Sequence, residues 1–128
     1  MSTIRADNFG NRAGTSSIPA DTMLQGTAKA WANINQSGVQ SIYDSFNISS
    51  ITDLSTGQTQ LNMTASQPNA AYIVMGCSYD PGTTDRIVNG RGGTVTTTSI
   101  FGILGYFTGT GVAVDINKAM AMLMGDST

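Results

Sequence analysis

Residues 26–35 read Gly-Thr-Ala-Lys-Ala-Trp-Ala-Asn-Ile-Asn, and their alternation decides how the rest of the chain is read. Ala28, Ala30, Ala32 and Ile34 share one parity, while Lys29, Trp31 and Asn33 share the other. A period of two marks a strand, whose successive side chains point to opposite faces. One face of this strand is small and apolar, suited to tight packing in a sheet. The other carries the only tryptophan of the chain beside a lysine and an asparagine. Ordinary core packing, against a second sheet or a neighbouring subunit, is the expected fate of Trp31. An exposed ring that stacks a sugar is the sharper alternative.

Downstream, short apolar runs alternate with turn residues. Asn35-Gln36-Ser37-Gly38 ends the first strand, and residues 42–48 lead into 49–54. After the turn Ser55-Thr56-Gly57-Gln58, Thr59, Leu61 and Met63 alternate with Gln60, Asn62 and Thr64 in a half-buried strand. Ala71 to Tyr79 is a near-continuous apolar strand closed by Asp80-Pro81-Gly82. Residues 94–99 are strand-prone, Gly102 and Gly105 mark bulges or close backbone approach, and residues 112–117 read as the next strand. In the final run, Met120, Met122 and Met124 oppose Ala119, Ala121 and Leu123. These residues are good helix formers, but a helix here has no polar face beyond Lys118, so a strand is expected. About seven short strands at this spacing predict an all-β fold, an antiparallel β-sandwich.

Upstream the composition changes. Residues 1–25 are rich in glycine, serine and turn formers and carry only isolated apolar residues, too few to build a core. They are expected to form an extended docking arm ahead of a sandwich domain at 26–128. Ile4, Phe9, Ile18 and Met23 are spaced as its anchors to a particle or partner.

At 128 residues the chain suits a single domain with a real core. A net charge of −2 with scattered basic residues points to neither nucleic-acid nor membrane partners, and no apolar run is long enough to span a bilayer. The first residues lack the apolar segment of a secretory signal. Charged residues make up 11% of the chain, against roughly 25% in an ordinary soluble domain. A surface so poor in charge points to an obligate oligomer covered by copies of itself.

Catalysis has few means here. There is no histidine and no glutamate, which removes Ser-His-Asp and Cys-His arrangements. Cys77 is the single cysteine and lies in an apolar run, so it reads as a buried structural thiol, with no disulfide and no cysteine metal site. Asp80 and Asp85 flank a Pro-Gly turn and read as solvated loop carboxylates, without the ligand spacing of a calcium loop. Gly90-Arg91-Gly92-Gly93 lacks the lysine and following helix of a phosphate-cradling loop. Catalytic residues, metals and cofactors are therefore not expected. Tyr79, Asp80, Asp85, Arg86, Asn89 and Arg91 combine aromatic, acidic and basic groups and form the candidate set for a glycan receptor, with solvated loops as the plainer reading.

Four stretches in order, Ala28 to Asn33, Ser45 to Asp53, Gly57 to Thr64 and Pro68 to Val74, resemble a domain of tailed-bacteriophage virion proteins. That domain occurs most often at the C-terminal end of tail fibres. Residues 11–19, Asn-Arg-Ala-Gly-Thr-Ser-Ser-Ile-Pro, are similar to the linker that precedes it. The resemblance spans about residues 3–78 and weakens after Tyr79. It implies a β-sandwich assembled as a homotrimer, located in the virion, with a structural or host-attaching role and no catalysis. Two roles are open at this point: a tail-fibre or host-attachment module that binds a surface glycan, and a capsid or tail decoration protein (a cement or head-fibre protein) fixed to other virion proteins by its arm. Fibres carry long upstream shafts, whereas this domain starts about 26 residues after Met1, which favours the second, while the common usage of the resembled family favours the first.

Overall fold

The computed structural model describes residues 2–3, 5–79, 86–91 and 97–126. Its elements are β1 (Asn8–Gly10), β2 (Ser17–Pro19), α1 (Ala20–Gly26), β3 (Ala30–Asn35), β4 (Ser41–Phe46), β5 (Ile48–Ser55), β6 (Gln58–Met63), β7 (Ile73–Tyr79), β8 (Arg86–Arg91), β9 (Ile100–Phe107) and β10 (Lys118–Met124). Every described strand pair is antiparallel. The strands form a small β1-β2 hairpin and two four-stranded sheets, ordered β4-β3-β10-β7 and β5-β6-β9-β8.

The alternation in β3 is real: Ala30, Ala32 and Ile34 are buried, while Trp31, Asn33 and Asn35 are half-buried on the other face. The run 118–124 is the strand expected of it, and it lies beside β3 with Ala32 opposite Ala121 and Ile34 opposite Ala119. These small side chains leave room for the larger Leu61, Met63, Phe101 and Ile103 of the second sheet, and all belong to one buried cluster. Each large side chain fully buried there contributes roughly 1.5–3 kcal/mol relative to exposure.

Between β4 and β5 the chain passes from the first sheet to the second through a single residue, Asn47, in a left-handed conformation with φ of 57°. Its amide holds the corner: Nδ2 donates to Lys29 O and Ala65 O, both at 3.0 Å, and Oδ1 accepts from Ala65 N at 2.7 Å. At the far side the sheets nearly touch, since a Cβ on Gly76 would lie 2.6 Å from Val88 O. Beyond β7, the Tyr72 hydroxyl lies 2.7 Å from both Thr97 O and Ile100 O and donates to this pair. Burial pushes the Tyr72 phenol above its ordinary 10.0, against a smaller opposing effect of the Thr97 hydrogen bond.

Several expectations need correction. The N-terminal segment is not an extended arm: residues 8–19 fold into the β1-β2 hairpin and α1 follows. The turn is closed by Asn11 and Thr15, with Thr15 N donating to Asn11 Oδ1 at 3.0 Å and Gly14 at φ of 69°. Residues 112–117 are not a ladder strand: they meet β9 only beyond Leu104, where its pairing with β6 ends. They cross between the sheets with one bridge, Tyr106 to Ala113, and bury Ile116 completely. Of the strand expected at 94–99, residues 94–96 lie outside the described residues; 97–99 form bends, and the strand starts at Ile100. Cys77 is exposed, because it shares the outward parity of β7 with Ile73, Met75 and Tyr79. Arg86, Asn89 and Arg91 lie on strand β8 and not in a loop.

Candidate functional site

Residues directly opposite each other in an antiparallel ladder share a face. The outward face of the first sheet therefore follows from its register. Phe46, Trp31, Met122 and Met75 form one row across β4, β3, β10 and β7. Asp44, Asn33, Met120 and Cys77 form the next, and Lys118 stands opposite Tyr79 beyond it. Met124 and Ile73 close the other end. This row structure answers what Trp31 packs against. Its neighbours are Phe46 and Met122 on the outer face, and the core is on the other side of its strand.

The face is apolar and open. Ile73 is 66% exposed, Phe46 54% and Met75 44%. A shallow groove of about 500 Å³ runs across it, walled by Trp31, Met75, Met120 and Met122 over a floor of Ala32, Gly76 and Ala121. Methionine, unbranched and polarizable, repacks readily against a partner surface. Contiguous apolar area on a sheet face with no layer over it marks an interaction surface.

Asn33 is the polar exception in the groove. Its Oδ1 is shut off from solvent and has no hydrogen-bond partner. Leaving such a group unpaired costs about 1–3 kcal/mol. Among the described residues, the charges of the face lie at its margins: Lys29 just before β3, Asp44 on the β4 edge, and Lys118, whose Nζ sits 5.5 Å from the centre of the Tyr79 ring.

The described candidate receptor residues are divided between the two sheets. Tyr79 belongs to the outward face of the first sheet. Asn89 and Arg91 lie on the second sheet, where Asn89 Nδ2 donates to the Tyr106 hydroxyl at 2.7 Å. Arg86 is tied into the fold, its guanidinium 5.1 Å from the centre of the Phe107 ring and its Nη1 donating to Asp115 O at 3.2 Å. Asp80 and Asp85 lie outside the described residues. Among the anchor residues, Phe9, Ile18 and Met23 are exposed on the hairpin and helix, joined by Leu24, and Ile4 lies outside the described residues.

The groove was missed by sequence reading, although its signal was present. Met120, Met122 and Met124 share a parity opposite the alanines of β10, just as Trp31 opposes the alanines of β3. Two adjacent strands that both bury alanine must both turn their large residues outward. Among the described residues, no group of three or more histidine, cysteine or acidic side chains is placed to hold a metal ion. No helix among them is long and apolar enough to cross a membrane. Comparison with known protein families, curated proteins and solved structures returns no match.

Proposed function

We propose that the chain is a structural virion protein of a tailed bacteriophage, a β-sandwich that works as a homotrimer in a tail-fibre or host-attachment module. The observation that carries this reading is the apolar outward face of the first sheet. Trp31 and Ile73 on that face fall within Ala28 to Asn33 and Pro68 to Val74, two of the stretches that resemble the virion domain. An uncovered face of this kind suits a protein that completes itself by assembly, and the sparse charge of the chain points the same way. The role is non-enzymatic.

A specific observation also favours decoration of the capsid or tail. The β1-β2 hairpin and α1 contribute no buried side chain and expose Phe9, Ile18, Met23 and Leu24. That is the form of an anchor for another virion protein. Labelled antibody against the chain, imaged on purified particles by electron microscopy, tests both readings. Label on tail fibres supports the first and label on the head supports the second. Particles without label, together with a chain that stays monomeric, would overturn both.

A further inference from the structure

We infer that the outward face of the β4-β3-β10-β7 sheet is the contact between copies of this chain, with Asn33 paired to the Asn33 of its neighbours at the symmetry axis. The inference rests on the proposed trimer and assigns its interface. Three observations select a second copy as the occupant of the groove.

First, the groove is mostly apolar, with Trp31, Met75, Met120 and Met122 as its large side chains, and such a surface is well covered by another of its kind. Second, the single side-chain amide in it lacks a partner at Oδ1. A carboxamide carries both a donor and an acceptor, so identical copies around an axis satisfy one another in a closed set. The flexible methionines beside Asn33 can move aside as the amide turns to meet its partner. A lone asparagine in an apolar contact of this type fixes register and copy number, at some cost in affinity. Third, the marginal charges are complementary. In a cyclic assembly the β4 edge of one copy meets the β7 edge of the next, which brings Asp44 toward Lys118 and Tyr79. A foreign partner gives no reason for this amide to stand in mid-groove.

Sedimentation equilibrium of the full chain and three variants tests the assignment, with circular dichroism to check folding. Met75→Lys changes a side chain already 44% exposed, so the fold should survive and association should fall at least about a hundredfold. Asn33→Asp gathers carboxylates at the axis, so association should drop at least about tenfold at pH 7 and return near pH 4 as they protonate. Among the described residues, the other charged or titratable groups on or beside the face are Lys29, Tyr43, Asp44, Cys77, Tyr79 and Lys118, and these are common to parent and variant. Asn33→Leu should bind about tenfold tighter yet populate more than one oligomeric state. A parent trimer matched by trimeric Met75→Lys and Asn33→Asp variants at pH 7 would overturn the interface and leave the trimer standing. A parent that stays monomeric at tens of micromolar would overturn the trimer and its interface together.

Discussion

The backbone N–H of Gly57 donates to Asp115 Oδ1 at 2.6 Å, joining residues 58 apart in sequence. Gly57 sits in the β5-β6 turn with φ of 70°, and a Cβ there would come within 2.5 Å of Gly105 O. Asp115→Ala removes a charge-assisted acceptor and should cost about 1.5–3 kcal/mol, with Asp115→Asn milder because it keeps an acceptor. Gly57→Ala adds left-handed strain to a backbone clash and should cost about 3 kcal/mol or more. Urea midpoints of the three variants check this order.

At the corner between the sheets, Asn47→Ala should cost more than Asn47→Gly. Both lose the three hydrogen bonds of the side chain, but glycine tolerates a φ of 57°. The gap between them should be about 1–2 kcal/mol, read from the same denaturation curves. Equal costs would mean that the backbone relaxes out of the left-handed region.

Tyr72 makes stability sensitive to alkali. Its phenol is held above the ordinary 10.0, so the folded chain keeps a proton that the unfolded chain releases. The contribution is fully present below about pH 10 and is lost as pH rises through the higher folded value. Melting temperature measured from pH 8 to 11 should fall faster in the parent than in Tyr72→Phe. At pH 8 the phenylalanine variant should be about 1–2 kcal/mol less stable, for want of the hydrogen bonds to Thr97 and Ile100.

Cys77 serves as a reporter of the groove. It is exposed and stands opposite Met120, which separates it from Asn33 in the same row. A maleimide should label it rapidly in the associating-defective Met75→Lys variant and at least about tenfold more slowly in the parent at assembling concentrations. Equal rates would place the contact between copies elsewhere.

Removing residues 1–25 should leave a cooperatively melting domain within about 1 kcal/mol of the parent, because none of the described residues among them is buried. The side chain of Lys29 donates to Leu24 O, one of the few described ties between this segment and the sheets. On the proposed virion role, the truncated protein should no longer be incorporated into virions. Unfolding of the truncated chain would make the hairpin and helix part of the folding unit.

Strand periodicity made most of the β architecture legible, down to the two faces of β3 and the strand at 118–124. It was blind where two sheets compete for one parity. Tryptophan usually packs in a core, and nothing local reveals that β3 pairs with β10, a second strand that buries alanine. Cys77 failed for the same reason. Its run is apolar on both parities, so only pairing with β10 fixes which side faces out. Asp115 and Tyr72 act through partners far along the chain, and such partners have no signature in a single sequence.

The place where the chain enters and leaves the first sheet has a mechanical consequence. β3 begins at Ala30 directly opposite Leu123, one residue before β10 ends, so both strand ends emerge side by side from two central, antiparallel strands. Tension applied between the hairpin-helix segment and the C-terminus would open this ladder as a zipper, one residue pair at a time. Tension entering through the same segment and leaving across the sheet face would load all the rows together, in shear. A protein held only by its N-terminal segment and its neighbours would be the stronger for it, whereas a load hung on the C-terminus would find its weakest seam.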